Sequence, residues 1–167
     1  MNETIMYKGF GAGFICKGFQ YREGQTYTHS GDVKLCSSGF HACEFPLDTF
    51  NYYPPTTSVY GKVALGGISP QTEKDSKRVG SSMKFTARLS IFDLVKAHVQ
   101  FVREQSNGNI GTGYSGHAAA TGDYGHAAAT GDSGHAAATG DYGHAAATGY
   151  SGHAAATGDY GHAAATG

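Results

Sequence analysis

The sequence predicts an α+β N-terminal domain followed by an all-β parallel solenoid. Residues 114–167 are six copies of a nine-residue unit that ends in GHAAATG. The second position of the unit alternates between serine and tyrosine, so the true period is 18 residues. All lysine, arginine, phenylalanine, proline and cysteine residues lie before the repeat. A short Gly- and Ala-rich period indicates stacked coils, here of two nine-residue units each.

The change in composition predicts the domain boundaries. We expect a head domain over residues 1–105 and a solenoid over residues 114–167. Residues 106–113 are rich in Gly, Asn and Ser and form either a linker or an imperfect first half-coil. The head contains 12 basic and nine acidic residues, a net charge of +3, and the repeat contains four Asp and no basic residue. Neither part has the basic surface of a nucleic-acid-binding protein.

The head is predicted to be rich in β structure with one clear helix. Alternation and β-branched residues indicate strands, and Pro46 near the start of a segment favours a short helix. Ser90 can cap the long helix, with Asp93 three residues later completing a capping box. The predicted strands are 25–29, 33–36, 58–65 and 83–89, the helices are 45–53 and 90–104, and 69–82 is predicted to be a polar loop.

In the repeat, strand alternation assigns side chains to two faces. The small residues Ala127 and Ala129 are predicted to point inward, and His126, Ala128 and Thr130 outward. Stacking the coils at about 4.8 Å turns each position into a ladder. The ladders that we expect to serve in assembly are Tyr124, Tyr142 and Tyr160; His117, His135 and His153; His126, His144 and His162; and Thr130, Thr148 and Thr166.

Both halves resemble known kinds of protein. The repeat is similar to those of ice-nucleation proteins and trimeric-adhesin heads, through the ATGD corners at 120–123, 129–132, 138–141 and 156–159. The head looks like uncharacterised phage and prophage proteins, through CKGFQY at 16–21, GQTY at 24–27 and KLCSSGFHAC at 34–43 running into PLD at 46–48. This resemblance implies a head joined to tandem repeats and brings no established activity.

The candidate chemistry of the head is a polar cluster of Cys36, His41 and Cys43. Zinc binding, a disulfide between two of the three cysteines, and free thiols are the alternatives, and the odd cysteine count favours free thiols in a reducing compartment. His41 and Cys43 share a strand face, but the sequence shows no third group to orient a nucleophile. We therefore predict no catalytic residue, no cofactor and no metal ligand.

A second resemblance points to an enzyme in the head. The order Gly-Phe-His at 39–41, a short helix with Tyr52 and Tyr53, and a strand at 59–65 is similar to ADP-ribosyltransferase-like folds. This resemblance implies an aromatic NAD cleft and a catalytic glutamate, for which Glu73 and Glu104 are the candidates.

The sequence favours a structural, self-assembling protein. The solenoid is expected to stack end to end into a filament or homo-oligomer, because its inward alanines form a small core and its end strand has no blocking device. The head would decorate or cap the stack, or dock to an unidentified protein partner. The alternatives are an enzyme or effector displayed by the repeat, and a module that binds ice or another ordered surface.

The sequence also limits the expected location. It shows no apolar run long enough for a membrane span and no secretory signal. We expect a cytoplasmic protein, or one released with or attached to a virion.

Overall fold

The computed structural model describes residues 3–71, 75–105 and 110–167. They form two compact units, Met1–Leu94 and Val95–Gly167. The first unit is rich in β-sheet and the second contains a parallel β-solenoid, so the predicted fold class is confirmed.

The first unit contains seven strands and two short 3₁₀ helices within its described residues. Its strands alternate in burial, as β1 shows by burying Met6 and Phe10 on one face. The 3₁₀ helices are Ala12–Phe14 and Pro46–Asn51. The strands are β1 (Glu3–Phe10), β2 (Ile15–Cys16), β3 (Phe19–Gln20), β4 (Thr26–Thr28), β5 (Phe40–Cys43), β6 (Val59–Ile68) and β7 (Lys77–Leu89).

Five of these strands form one antiparallel sheet in the order β4-β7-β5-β1-β6. Strand β7 also pairs with β6, so β7, β5, β1 and β6 make a closed circuit of pairings. The joint between β1 and β5 is the weakest point, because its register contains the single pair Tyr7 and Cys43. The core inside the circuit contains Met6, Phe10, Tyr21, Ala42, Val63, Leu65, Met83 and Phe85.

Most of the predicted elements of the head are present, with two errors. The segment predicted as a loop, 69–82, already belongs to β7 from Lys77 onward, and its residues 72–74 lie outside the described part. The predicted strand 33–36 is a turn, in which Cys36 has φ +61°. The remaining segments match β4, β6, the end of β7 and the 3₁₀ helix Pro46–Asn51.

The long helix α1 runs from Ile91 to Gln105 and contributes its residues from Val95 onward to the second unit. Its predicted capping box is present: the Asp93 main-chain N–H donates to the Ser90 Oγ at 3.1 Å, and the Ser90 N–H donates to the Asp93 carboxylate at 3.1 Å. Ile91, at the first position of the helix, is exposed. No helix among the described residues is long and apolar enough to cross a membrane.

The solenoid has two parallel sheets made of alternate repeat units. The register is 18 residues, with His126 beside His144 and His144 beside His162. One sheet contains β8 (Ile110–Gly111), β10 (His126–Thr130), β12 (His144–Thr148) and β14 (His162–Thr166); the other contains β9 (His117–Thr121), β11 (His135–Thr139) and β13 (His153–Thr157).

The first short strand of the solenoid lies within the segment that was predicted as either linker or half-coil. Ile110 and Gly111 of β8 pair with Ala128 and Ala129 of β10. The described end of that segment therefore continues the coil, while its residues 106–109 lie outside the described part.

The inner core consists of alanines from both sheets. Ala127, Ala129, Ala145 and Ala147 of one sheet are at most 1% exposed and pack with Ala120, Ala136 and Ala138 of the other. The predicted inward direction is confirmed. Because a methyl group is the largest side chain in this core, each inward position buries little apolar surface.

A matched pair of glycines tests the corner geometry. Gly122 and Gly140 have φ values of +114° and +133°. A Cβ on Gly140 would lie 2.1 Å from the Gly122 carbonyl oxygen of the coil below, whereas a Cβ on Gly122 meets nothing within 4 Å. Both changes to Ala carry the strain of a positive φ, about 1–2 kcal/mol, and Gly140→Ala adds a clash with backbone.

We therefore expect Gly140→Ala to lower the free energy of unfolding of the solenoid clearly more than Gly122→Ala. Urea-dependent hydrogen exchange of peptides from residues 110–167 measures this difference. Equal losses in the two variants would show that the coils do not stack as closely as described.

Candidate functional site

The stacked side chains of the solenoid are the first candidate surface. The tyrosine column is ordered, with ring centroids 5.2 Å apart for Tyr124 and Tyr142 and 5.0 Å apart for Tyr142 and Tyr160. The imidazoles of His117, His135 and His153 stack at 4.9 Å in the same way. The tyrosine ladder and the ladder of His117, His135 and His153 are thus continuous columns of nearly parallel rings.

The two sheet faces have the same sequence but different surroundings. On the face of β10, β12 and β14, the outward residues Ala128 and Ala146 are buried. Helix α1 lies over this face: the His98 ring is 5.0 Å from that of His144, and Phe101 is 6.1 Å from His126. We name this the covered face. The face of β9, β11 and β13, where Ala119, Ala137 and Ala155 are exposed, we name the open face.

This difference changes the roles expected for two ladders. His144 points outward as predicted but is 1% exposed beneath α1, so it is part of a packed interface and not of a solvated surface. Thr130, Thr148 and Thr166 lie on the same covered face and are half-buried. The exposed threonine column is the one on the open face, Thr121, Thr139 and Thr157.

The second candidate is a cavity of about 530 Å³ in the first unit. Its lining includes residues of both β1 and β5, the two strands that pair only at Tyr7 and Cys43. All three residues of the predicted polar cluster, Cys36, His41 and Cys43, line it, together with Cys16. The structure therefore brings the three residues of this cluster to one cavity. The three cysteines are free, and the described residues contain no group of three or more ligands placed to hold a metal ion.

His41 holds the wall of the cavity in place. Its Nε2 accepts a hydrogen bond from the Cys36 main-chain N–H at 2.9 Å, and its ring also hydrogen-bonds the Gly39 backbone. Burial, followed by the charges of Lys8 and Lys77, lowers the pKa of His41 to about 4. The imidazole is neutral near pH 7, and its acceptor nitrogen is engaged by backbone, so this residue supports the 36–41 turn.

The thiols differ in their surroundings. Cys43 is buried, and burial raises the pKa of its thiol well above the usual value. The Cys16 Sγ lies 3.0 Å from the hydroxyl of Tyr53. The Cys36 Sγ accepts a hydrogen bond from the Nζ of Lys77 at 2.9 Å.

Sequence reasoning missed the lysines of the cavity. Lys8 is 7% exposed and Lys77 is 8% exposed, and both line the cavity with the exposed Lys17. One signal was available for Lys8, because it shares a strand face with the apolar Met6 and Phe10. A lysine on the buried face of a strand is unusual and indicates a special environment.

The enzyme interpretation named two candidate glutamates. Glu73 lies outside the described residues. Glu104 lies on α1, where its carboxylate accepts a hydrogen bond from the Gln100 side chain at 2.6 Å. Tyr52 and Tyr53 do line the cavity, as that interpretation expects.

Comparison with known proteins adds one finding. A family model, described as a domain of unknown function (DUF7666), matches residues 4–97. No curated protein and no solved structure matches the chain. The match ends before the repeat. The resemblance of the repeat to ice-nucleation and adhesin repeats stays a prediction, and so does that of the head to phage and prophage proteins.

Proposed function

Because the chain belongs to the DUF7666 family, whose function is unknown, and carries a β-solenoid compatible with a structural or repeat module, we propose that it is a self-assembling structural protein. In this proposal the solenoids of separate copies associate through the edges of their coils. The head then serves as decoration, cap or docking module. The observation that carries the proposal is the pair of outer strands β13 and β14.

These outer strands are chemically equivalent to the inner ones. Within the described residues, β13 pairs only with β11 and β14 only with β12. Their HAAAT sequence is the same as that of every other strand of the coil. A strand edge with unpaired N–H and C=O groups is a template for another strand. Any coil of a second copy that reaches this edge meets the same backbone and the same ladders.

The stacked columns would favour such pairing. A copy added in register would continue the tyrosine column, whose members Tyr124 and Tyr160 are 60% and 44% exposed. It would also extend the alanine core, whose last members Ala163 and Ala165 are exposed in β14. Apolar surface removed from water contributes about 25 cal/mol per Å².

Prolines on the outer edge provide the test. The N–H of His162 donates inward to Gly143, and that of His153 donates inward to Gly134. Along a strand the N–H groups alternate in direction, so those of Ala156 and Ala165 point to the outer edge. Proline at both positions removes outward donors and keeps the inner ladder. We expect the parent to sediment as large species and the double variant Ala156→Pro, Ala165→Pro as a monomer.

A charge on the open face is the matched control. Ala155→Glu lies on the same coil but changes lateral contacts and leaves the edge intact. If it disperses the assembly and the prolines do not, copies associate side by side and end-to-end stacking is wrong. A parent that stays monomeric at every concentration overturns self-assembly altogether. Circular dichroism of each variant confirms that the solenoid is still folded.

The proposal assigns no catalysis to the head. What supports this is the state of His41, the obvious acid–base group of the cavity, whose ring is engaged by the backbone of Cys36 and Gly39. The enzyme alternative rests on Tyr52 and Tyr53 in the cavity wall. Turnover of NAD by the purified chain, lost in His41→Ala, would favour that alternative.

A further inference from the structure

The cavity of the first unit has an unusual charge. Its lining contains the three lysines Lys8, Lys17 and Lys77, and no Asp or Glu among the described residues. Two of these lysines are buried. Burying a charge is costly unless a partner of opposite charge is supplied. The positive charge of the lining therefore favours the binding of an anion.

The ammonium group of Lys8 contacts the main chain and an aromatic ring. Its Nζ donates to the His41 carbonyl oxygen at 2.9 Å and lies 5.5 Å from the centre of the Phe10 ring. Burial lowers the pKa of Lys8, while Cys16 and Cys43 act to raise it and Lys17 acts to lower it. An ammonium has three donors, so a carbonyl contact leaves capacity for an anionic ligand in the cavity.

Lys77 has more partners than Lys8. Its Nζ donates to the Cys36 Sγ and lies 4.2 Å from the centre of the Tyr52 ring. The carboxylate of Asp75 accepts hydrogen bonds from the Tyr52 hydroxyl and the Lys77 main-chain N–H. Asp48 accepts from the Ser76 N–H at 3.1 Å. These carboxylates thus hydrogen-bond groups beside Lys77 and make its surroundings less favourable for an anion. The anionic group of a ligand is therefore better placed at Lys8 and Lys17.

The mouth of the cavity has a different chemistry. Phe19 and Tyr52 are the large aromatic lining residues that remain exposed, at 50% and 42%. Phe19 is held edge-to-face against Tyr21, with ring centroids 4.9 Å apart. Exposed, fixed rings at the entrance provide flat apolar surfaces on which a planar group can stack.

We propose that this cavity binds a nucleoside phosphate, with the phosphate at Lys8 and Lys17 and the base against Phe19 and Tyr52. The ligand class joins the two features of the lining, a cationic interior and an aromatic mouth. A volume of about 530 Å³ lies within the ordinary range of small-ligand sites. The inference goes beyond assembly, because it gives the head a ligand that the solenoid does not need.

Calorimetric titration of the full chain with ADP tests the proposal, with adenosine and pyrophosphate as separate probes. We expect saturable binding of ADP and weaker binding of each part. Lys8→Met keeps the length and burial of the side chain and should weaken ADP binding about tenfold, the value of one charge-assisted hydrogen bond. Lys17→Met changes an exposed side chain, so the fold should be preserved, and it should weaken ADP binding in the same way.

The aromatic mouth has its own variant and control. Phe19→Ala should weaken ADP and adenosine binding by about three- to tenfold, as lost stacking predicts, and should leave pyrophosphate binding unchanged. The controls are Lys84→Met and Phe92→Ala, exposed residues of the same types outside the lining; both should bind ADP as the parent does.

Three results would overturn the proposal: no saturable binding of ADP at millimolar concentration, adenosine binding as tightly as ADP, or ADP binding that survives both lysine changes. None of these bears on the sedimentation behaviour, so a failure here is distinguishable from a failure of self-assembly.

Discussion

Ala145→Glu should abolish the ordered solenoid. Ala145 is 0% exposed in the alanine core between the two sheets. Its ladder neighbours Ala127 and Ala163 are also alanines, so the new carboxylate would meet methyl groups above and below. Burying an unpaired carboxylate costs at least several kcal/mol, and a core made of methyl groups has little stability to lose. We expect rapid hydrogen exchange throughout peptides from residues 110–167.

The matched control places the same carboxylate on the open face. Ala137→Glu changes the middle alanine of β11, which is exposed and points away from the core. Its hydrogen exchange should stay close to that of the parent, because a surface substitution of this kind alters stability by about 0.5 kcal/mol or less. Protection that survives in Ala145→Glu would show that the inner positions have been assigned to the wrong face.

The packing of α1 on the solenoid should be lost in acid. His98 is fully buried, and its Nδ1 has no hydrogen-bond partner among the described residues. Burial, with His162 and His126 adding to it, lowers the pKa of His98 to about 3, against 6.5 in the unfolded chain. Folding therefore favours the neutral ring. The contribution of the neutral His98 ring to the stability of the packing is fully present above pH 6.5. It is lost as the pH falls from 6.5 towards 3.

The expected size follows from the difference in pKa. Between pH 7 and pH 4.5 the loss of stability that comes from His98 alone is about 2–3 kcal/mol. Hydrogen exchange of α1 peptides at the two pH values, corrected for the intrinsic rate, measures it. His98→Met removes the titrating ring from the interface and should make the stability less dependent on pH.

An exposed histidine supplies the comparison. His117→Ala, on the open face, should leave the acid sensitivity of α1 as it is in the parent. If His98→Met and the parent lose the same stability in acid, His98 is not the group responsible, and the packing of α1 over His144 is in doubt.

The solenoid was predictable because its signal is periodic. The alternation of Ser133 and Tyr142 at equivalent positions was enough to show an 18-residue coil, and strand alternation placed Ala127 and Ala129 inside. The capping box of Ser90 and Asp93 predicted the start of α1 within one residue. In each case the pattern is local, and the same few residues that carry it also make the contact.

The covered face and the head cavity depend on contacts that are distant in the sequence. Nothing in an HAAAT unit distinguishes His144, which lies beneath His98, from His135, which lies on the open face. The start of β7 was hidden because Lys77, Arg78, Ser81 and Ser82 give it a polar sequence, and a polar pattern indicates a loop. The positions of Cys36, His41 and Cys43 were predicted to be near one another, but the role of His41 follows from a main-chain N–H that has no sequence signature.

Because the coils share one repeat, the number of coils in the solenoid can change without changing the structure of each coil. Adding or removing 18 residues would change the height of the solenoid by one step of about 4.8 Å and leave every remaining contact as it was. Helix α1 does not share this freedom. Its residues 95–105 extend about 16 Å at 1.5 Å per residue, which spans the three strands from His126 to His162 that it contacts. In a chain with further coils, α1 would be too short to cover all of them. Each coil beyond the end of the helix would expose the same histidine, alanine and threonine columns on both faces.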